Sequence, residues 1–269
     1  MTTHPMNSLL RLAGVAAALC GLGQAALATP VTPSFANAPT GWTTDRYDAA
    51  SFGNVGSYQG RSDVLGIGID ATTDSVNRVA GQQSTFYNTQ GKQHVVSGGA
   101  GSVLSADLFI DSAWRSGSSG YVRSDMWAVG SDGSGVADYG IIGFTNYGGA
   151  ARLRVFDGDV AGGWVDLANA IAFDAWTSFD IELTASSLRY SVNGVQVYED
   201  STIGTDHLSA VIMQAYNFAD PALGVSSNPS YVAHWSDKAP GAVPEPGSLA
   251  LVALALLGLG LARRKQQAG

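Results

Sequence analysis

The stretch Leu188-Arg189-Tyr190-Ser191-Val192-Asn193-Gly194-Val195-Gln196-Val197-Tyr198 decides the fold class. Asn-Gly between two alternating runs is the strongest short-range hairpin signal, because both residues accept the left-handed backbone of a two-residue turn. With that turn, Val192 faces Val195 and Tyr190 faces Val197. The spacing predicts that Leu188, Tyr190, Val192, Val195 and Val197 share a buried face, and that Arg189, Ser191, Gln196 and Tyr198 share the other. Just upstream, Trp176 to Leu183 turns Phe179, Ile181 and Leu183 one way and Asp180 and Glu182 the other. One apolar and one polar face per sheet is the pattern of an antiparallel sandwich layer.

Further strand-like runs lie at short intervals on either side. They are Val64 to Ile69, Ser84 to Tyr87, Ser102 to Ile110, Tyr121 to Val129, Tyr139 to Thr145, Ala151 to Phe156, Trp164 to Leu167, Leu208 to Phe218 and Tyr231 to Trp235. No repeat period links them, and no helical pattern longer than two turns interrupts them. Asp, Asn, Gly and Ser between runs of Val, Ile, Tyr and Trp predict short strands joined by tight turns. Residues 29–43, rich in Pro, Ala and Thr, read as a leader or linker, and residues 44–238 as one β-sandwich domain. Between residues 29 and 244 there are 10 Lys plus Arg against 21 Asp plus Glu, a net charge of −11. Such a balance excludes nucleic acid and anionic membrane surfaces as partners of the domain.

The strand opening at Trp176, followed by the Tyr-Ser-Val-Asn-Gly hairpin, resembles the late strands of concanavalin A-like and laminin G-like jelly rolls. That resemblance covers about Ser102 to Phe218. It implies an all-β fold of two antiparallel sheets, one often concave and solvent-facing, in a group that includes lectins, carbohydrate-binding modules and glycoside hydrolases.

Hydrolysis of a glycosidic bond needs a pair of carboxylates, and the related bacterial enzymes carry clustered Glu residues along one strand. Here residues 29 to 244 hold only two Glu, Glu182 and Glu199. Asp180 and Glu182 share a strand face, but that alternation equally describes a solvated surface. No Gly-x-Ser-x-Gly elbow is present, so no catalytic residue is assigned. His94, His207 and His234 are isolated in sequence and form no zinc pattern. Asp132, Asp157 and Asp159 lie in Asp-Gly loops that offer oxygens to calcium, the one candidate cation, although such pairs are first of all turn formers. No other cofactor is implied.

Glycan binding has a better signature, since sugar rings stack on flat side chains while charged and amide groups bond the hydroxyls. In Tyr121-Val122-Arg123-Ser124-Asp125-Met126-Trp127-Ala128, the residues Tyr121, Arg123, Asp125 and Trp127 alternate with Val122, Met126 and Ala128. The second set suits a core, leaving the first for a solvent-facing concave surface; the alternative is that Tyr121 and Trp127 are themselves core. Trp164, preceded by Gly162 and Gly163, reads either as a loop platform or as a buried Trp opening a strand.

Both ends of the chain carry addresses. Arg11 precedes the apolar Leu12 to Leu22, and Ala26-Leu27-Ala28 places small residues where a signal peptidase reads, so residues 1–28 read as a signal helix cleaved before Thr29. Cys20, the only cysteine, falls inside it behind Leu19, which departs from the small residue of a lipoprotein site, and the exported part has no disulfide. In residues 239–269, Pro244-Glu245-Pro246 leads into the uncharged Ser248 to Ala262 and then Arg263-Arg264-Lys265. As a helix that run rises about 22 Å against a hydrocarbon core of roughly 30 Å, which suits a transient transmembrane helix. The basic cluster places its far end in the cytoplasm.

These three parts in order resemble the PEP-CTERM sorting signal of Gram-negative bacteria, which implies processing by an exosortase. The combined expectation is a precursor spanning the inner membrane, then an envelope, outer-surface or extracellular protein. Its leading role is non-catalytic binding of exopolysaccharide, because this sorting system accompanies exopolysaccharide production. The competing roles are a secreted carbohydrate-active enzyme, a hydrolase or lyase, and a purely structural biofilm component.

Overall fold

The computed structural model describes residues 28–224 and 228–237, and the predicted signal helix and sorting segment lie outside them apart from Ala28, which is exposed. Within the described residues the chain forms two sheets packed face to face. The eight-stranded sheet has the order β13 (Val195–Asp200), β12 (Leu188–Val192), β11 (Ala175–Leu183), β6 (Ser102–Ile110), β15 (Tyr231–Asp237), β4 (Leu65–Ile69) and β3 (Ser51–Asn54), with β1 (Thr29–Pro30) beside the start of β6. The seven-stranded sheet has the order β10 (Trp164–Asp166), β9 (Arg152–Phe156), β8 (Val136–Thr145), β7 (Arg123–Ser131), β14 (His207–Tyr216), β5 (Thr89–Gly98) and β2 (Thr43–Thr44). The β1 pairing with β6 is parallel, whereas the long strands pair antiparallel, as in a jelly roll. No helix among the described residues is long and apolar enough to cross a membrane.

The core lies between the sheets and is built by alternation. Phe179, Ile181 and Leu183 of β11 are fully buried against Leu104, Ala106 and Leu108 of β6 on one side, and Met126, Ile142, Leu153 and Val211 fill the other. Each such side chain contributes about 1.5–3 kcal/mol when removed from water. Polar links also join the sheets: Trp235 Nε1 on β15 donates to Ser124 Oγ on β7 at 2.9 Å, and that hydroxyl donates to the Gln214 carbonyl at 2.7 Å. The indole is thereby buried with its only donor satisfied.

The hairpin turn forms where expected, with Asn193 at φ 51° and Gly194 at φ 77°, and Val192 faces Val195. Past the turn the predicted common face holds only in part: Val197 packs against the core, but so does Tyr198, expected on the other face. A register shift pairs Tyr190 with Tyr198 instead of Val197, and Val195, on the edge strand β13, is 64% exposed. Leu188, Tyr190 and Val192 are buried as predicted.

Three other expectations change. Residues Thr85–Asn88 form a 3-10 turn and not a strand. The neighbouring β5 gave no signal, since Gln90-Gly91-Lys92-Gln93 lacks apolar alternation. The stretch read as a leader packs onto the sandwich: Phe35 is fully buried, Trp42 lies against Phe35 and Phe52, and Thr32 bonds Ser105 through both backbone groups.

Candidate functional site

The two faces of strand β7 separate as its alternation predicts, but the outer one is not open to solvent as expected: Asp125 is fully buried and Trp127 nearly so. Val122, just before it, and Met126 and Ala128 are in the core, so Arg123, Asp125 and Trp127 stand on the outer face of the seven-stranded sheet. Pairing register carries this face across the sheet. Gln214, Asp125, Gly143, Arg154 and Asp166 form one row on β14, β7, β8, β9 and β10. Ile212, Trp127, Ile141, Phe156 and Trp164 form the next.

The apolar row makes a small second cluster in which Trp127 packs with Val129, Ile141 and Ile212, while Phe156 and Trp164 flank it. Trp127 is 6% exposed, so it is both a residue of the outer face and a packed one. Arginines cover these rings. The Arg46 guanidinium lies 4.6 Å from the centre of Trp127, Arg123 4.7 Å and Arg154 3.6 Å from the centre of Trp164, and Arg123 also 5.2 Å from Tyr216. Desolvated cation–π contacts of this kind are worth up to about 2 kcal/mol each.

The polar row is centred on Asp125, which is fully buried. Its Oδ2 accepts from Arg123 Nε at 2.5 Å and from Gln214 Nε2 at 2.7 Å, with Arg154 at 4.0 Å. Gly143 makes room for it: a Cβ there would lie 2.4 Å from Asp125 Oδ1 and 2.3 Å from the Ser124 carbonyl oxygen. Burial pulls the Arg154 guanidinium down to about 10, against the opposing pull of Asp125. Burial likewise raises the carboxyl of Asp45, which pairs with Arg46.

Four polar atoms on this face are buried without a hydrogen-bond partner: Asp125 Oδ1, Gln214 Oε1, Trp127 Nε1 and Arg154 Nε. Two accept and two donate. Buried polar groups are ordinarily satisfied, and an orphan costs about 1–3 kcal/mol. Beside Arg46, a surface cavity of about 310 Å³ opens between Thr44, Tyr47, Thr73 and Gln82.

Of the sequence candidates, Arg123, Asp125, Trp127 and Trp164 come together on this face. Tyr121 does not join them in the strand: it precedes β7 and packs edge-on against Tyr147 and Phe218, while its backbone bonds Asn228. Arg154 and Gln214 were missed, although Arg152, Arg154 and Phe156 alternate with Leu153 and Val155 in a readable strand pattern. Arg46 had no local signal.

The calcium candidates separate. Asp132 spends Oδ1 on its own turn, accepting from the Ser134 backbone and hydroxyl and from Gly135. Asp157 and Asp159 meet Asp200, with one carboxylate oxygen from each within 4.8 Å of the others, a set that could hold a cation. Asp157 also accepts from Tyr198, whose hydroxyl this bond pushes up to about 12. The histidines are dispersed: His94 lies edge-on to Trp42, His207 beside Asp206, and His234 stacks on Tyr58 at 3.7 Å. Asp180 and Glu182 stand on the other sheet's outer face, where Asp180 bonds Ser105 and Glu182 faces Arg189.

Residues 242–265 match the PEP-CTERM protein-sorting motif, which marks the chain as an exported protein handled by an exosortase and held transiently in the membrane before processing. The matched residues lie outside those described. Among curated proteins none matches the sequence. Among solved structures, a native glycosidic hydrolase is similar at 14% identity and TM-score 0.45, covering 82% of this chain and 100% of its own. The β-glucanase of Bacillus licheniformis is similar at 13% identity and TM-score 0.42, covering 76% and 96%. A glycoside hydrolase family 16 endo-glucanase from Bacteroides ovatus is similar at 12% identity and TM-score 0.41, covering 73% and 94%. At these values the likeness carries no argument about activity.

Proposed function

We propose that this chain is an exopolysaccharide-binding protein of the envelope or extracellular matrix, sorted by an exosortase, whose sandwich holds glycan without cleaving it. The carrying observation is the set of four orphaned polar atoms among aromatic rings on the outer face of the seven-stranded sheet. Mixed donors and acceptors beside flat side chains are what a sugar's hydroxyls and ring require. Arg123, Asp125, Trp127 and Trp164 are the binding residues of this reading, joined by Arg154 and Gln214.

Non-catalytic action is supported by the carboxylate count on β7. Glycoside hydrolysis uses two carboxyl groups about 5–9.5 Å apart. This strand presents one, Asp125, and it is committed to Arg123 and Gln214.

The test is a retention screen of the full chain in detergent on immobilised polysaccharides, with a reducing-end assay on the same materials. Saturable retention without new reducing ends, lost in Trp127→Ala, is expected. Steady release of reducing ends would make the protein an enzyme. A folded chain retained by nothing would make it a structural matrix component.

A further inference from the structure

Resting on the glycan-binding reading, the charges of the same face narrow the ligand. Three of its arginines have carboxylates of their own: Arg46 pairs with Asp45, Arg123 with Asp125, and Arg152 with Asp166 at 2.9 Å. Arg154 does not. It is 8% exposed, its Nε has no acceptor, and the Asp125 oxygen 4.0 Å away is already bonded twice. Four arginines thus share three carboxylates, and the surplus positive charge falls on β9, beside the edge strand β10, in a chain whose net charge is −8.

A buried cation that only shares a distant counter-ion is costly, and a neutral hydroxyl can accept its hydrogen bonds without neutralising it. The planar fork of an arginine matches a carboxylate or sulfate in two parallel hydrogen bonds. Guanidinium groups lie beside both Trp127 and Trp164, so the aromatic part of the face also carries positive charge. We infer that the ligand of this face is an anionic glycan, whose carboxylate or sulfate gives Arg154 a counter-ion of its own, while Asp125 Oδ1 and Gln214 Oε1 accept from adjacent hydroxyls. Because the chain as a whole is acidic, recognition is local and not a general attraction to polyanions.

The test is calorimetric titration of the full chain in detergent with paired oligosaccharides: a β-1,4-glucuronate and its carboxyl-reduced glucan, and a sulfated galactan and its desulfated form. The anionic member of at least one pair should bind about ten-fold or more tightly than its neutral partner. The glucuronate pair and the sulfated pair distinguish which group is bound. In Arg154→Gln, checked for fold by circular dichroism, the preference should vanish. Equal affinity within both pairs would overturn the anionic inference and leave glycan binding standing; no binding to any member would overturn both. The paired comparison uses the natural sequence, so its outcome does not depend on the folding of a variant.

Discussion

The guanidinium carbon of Arg154 lies 3.6 Å from the centre of the Trp164 ring. These residues sit on neighbouring strands, β9 and β10, but not directly opposite: Trp164 pairs with Phe156, and Arg154 with Asp166. The indole thus leans along the sheet to cover a charge one position away. Stacking of this kind holds the guanidinium in place where its shared carboxylate does not.

Asp125 is the anion on which that arrangement depends. Replacing it as Asp125→Ala leaves Arg123 and Arg154 buried without a carboxylate, and removing one partner of a buried pair costs about 3–5 kcal/mol. Urea denaturation should show a loss of that order. A change in the range of an ordinary surface substitution would mean the two arginines find other partners.

Gly143 sits in the row to keep space for that carboxylate. Gly143→Ala places a methyl group against Asp125 and the Ser124 carbonyl oxygen, and overpacking of this kind costs about 1–3 kcal/mol. Gly135→Ala, where a Cβ meets open space, is the comparison. The two variants should differ in thermal midpoint; matching midpoints would show that Asp125 swings away freely.

His234 gives the stability a pH dependence. Burial lowers its affinity for a proton from the ordinary 6.5, with Asp111 opposing, so the unfolded chain binds the proton more tightly. Stability is then fully present above about pH 6.5 and falls as the solution is acidified towards the folded-state value. His234→Phe keeps the stack on Tyr58 and removes the titration. Urea midpoints at pH 7.5 and 5.5 should converge in the variant relative to the natural chain, and an unchanged difference would assign the acid limb to other groups.

The sorting motif is testable in culture. Glu245→Ala, or neutralising Arg263, Arg264 and Lys265 together, should leave unprocessed precursor in the inner-membrane fraction. Normal maturation of both variants on immunoblots would refute the assigned route.

Much of the architecture was legible because strands announce themselves locally. Ser102 to Ile110 coincides with β6, and the Asn193-Gly194 turn forms as read. The burial of β11 follows its alternation, and β7 divides its side chains between the main core and the outer cluster in the order its alternation gives. Legibility failed where burial does not alternate. The polar β5 crosses the sheet without an apolar stripe, and Val195 belongs to an edge strand whose exposure its sequence does not signal. Phe35 and Trp42 lie in a stretch whose Pro and Thr content suggested a linker, yet their rings are core.

The candidate site divides in the same way. The sequence by itself determined the β class, the outward set Arg123, Asp125 and Trp127, and the terminal sorting motif, since each depends on neighbours within a few residues. Only the tertiary structure decided that Arg46 lies over Trp127, that Gln214 and Arg123 share one oxygen of Asp125, and that Arg154 is left without an anion of its own. Those contacts join residues up to 89 apart in sequence, and pairing register, which no local pattern encodes, sets which side chains meet across a sheet.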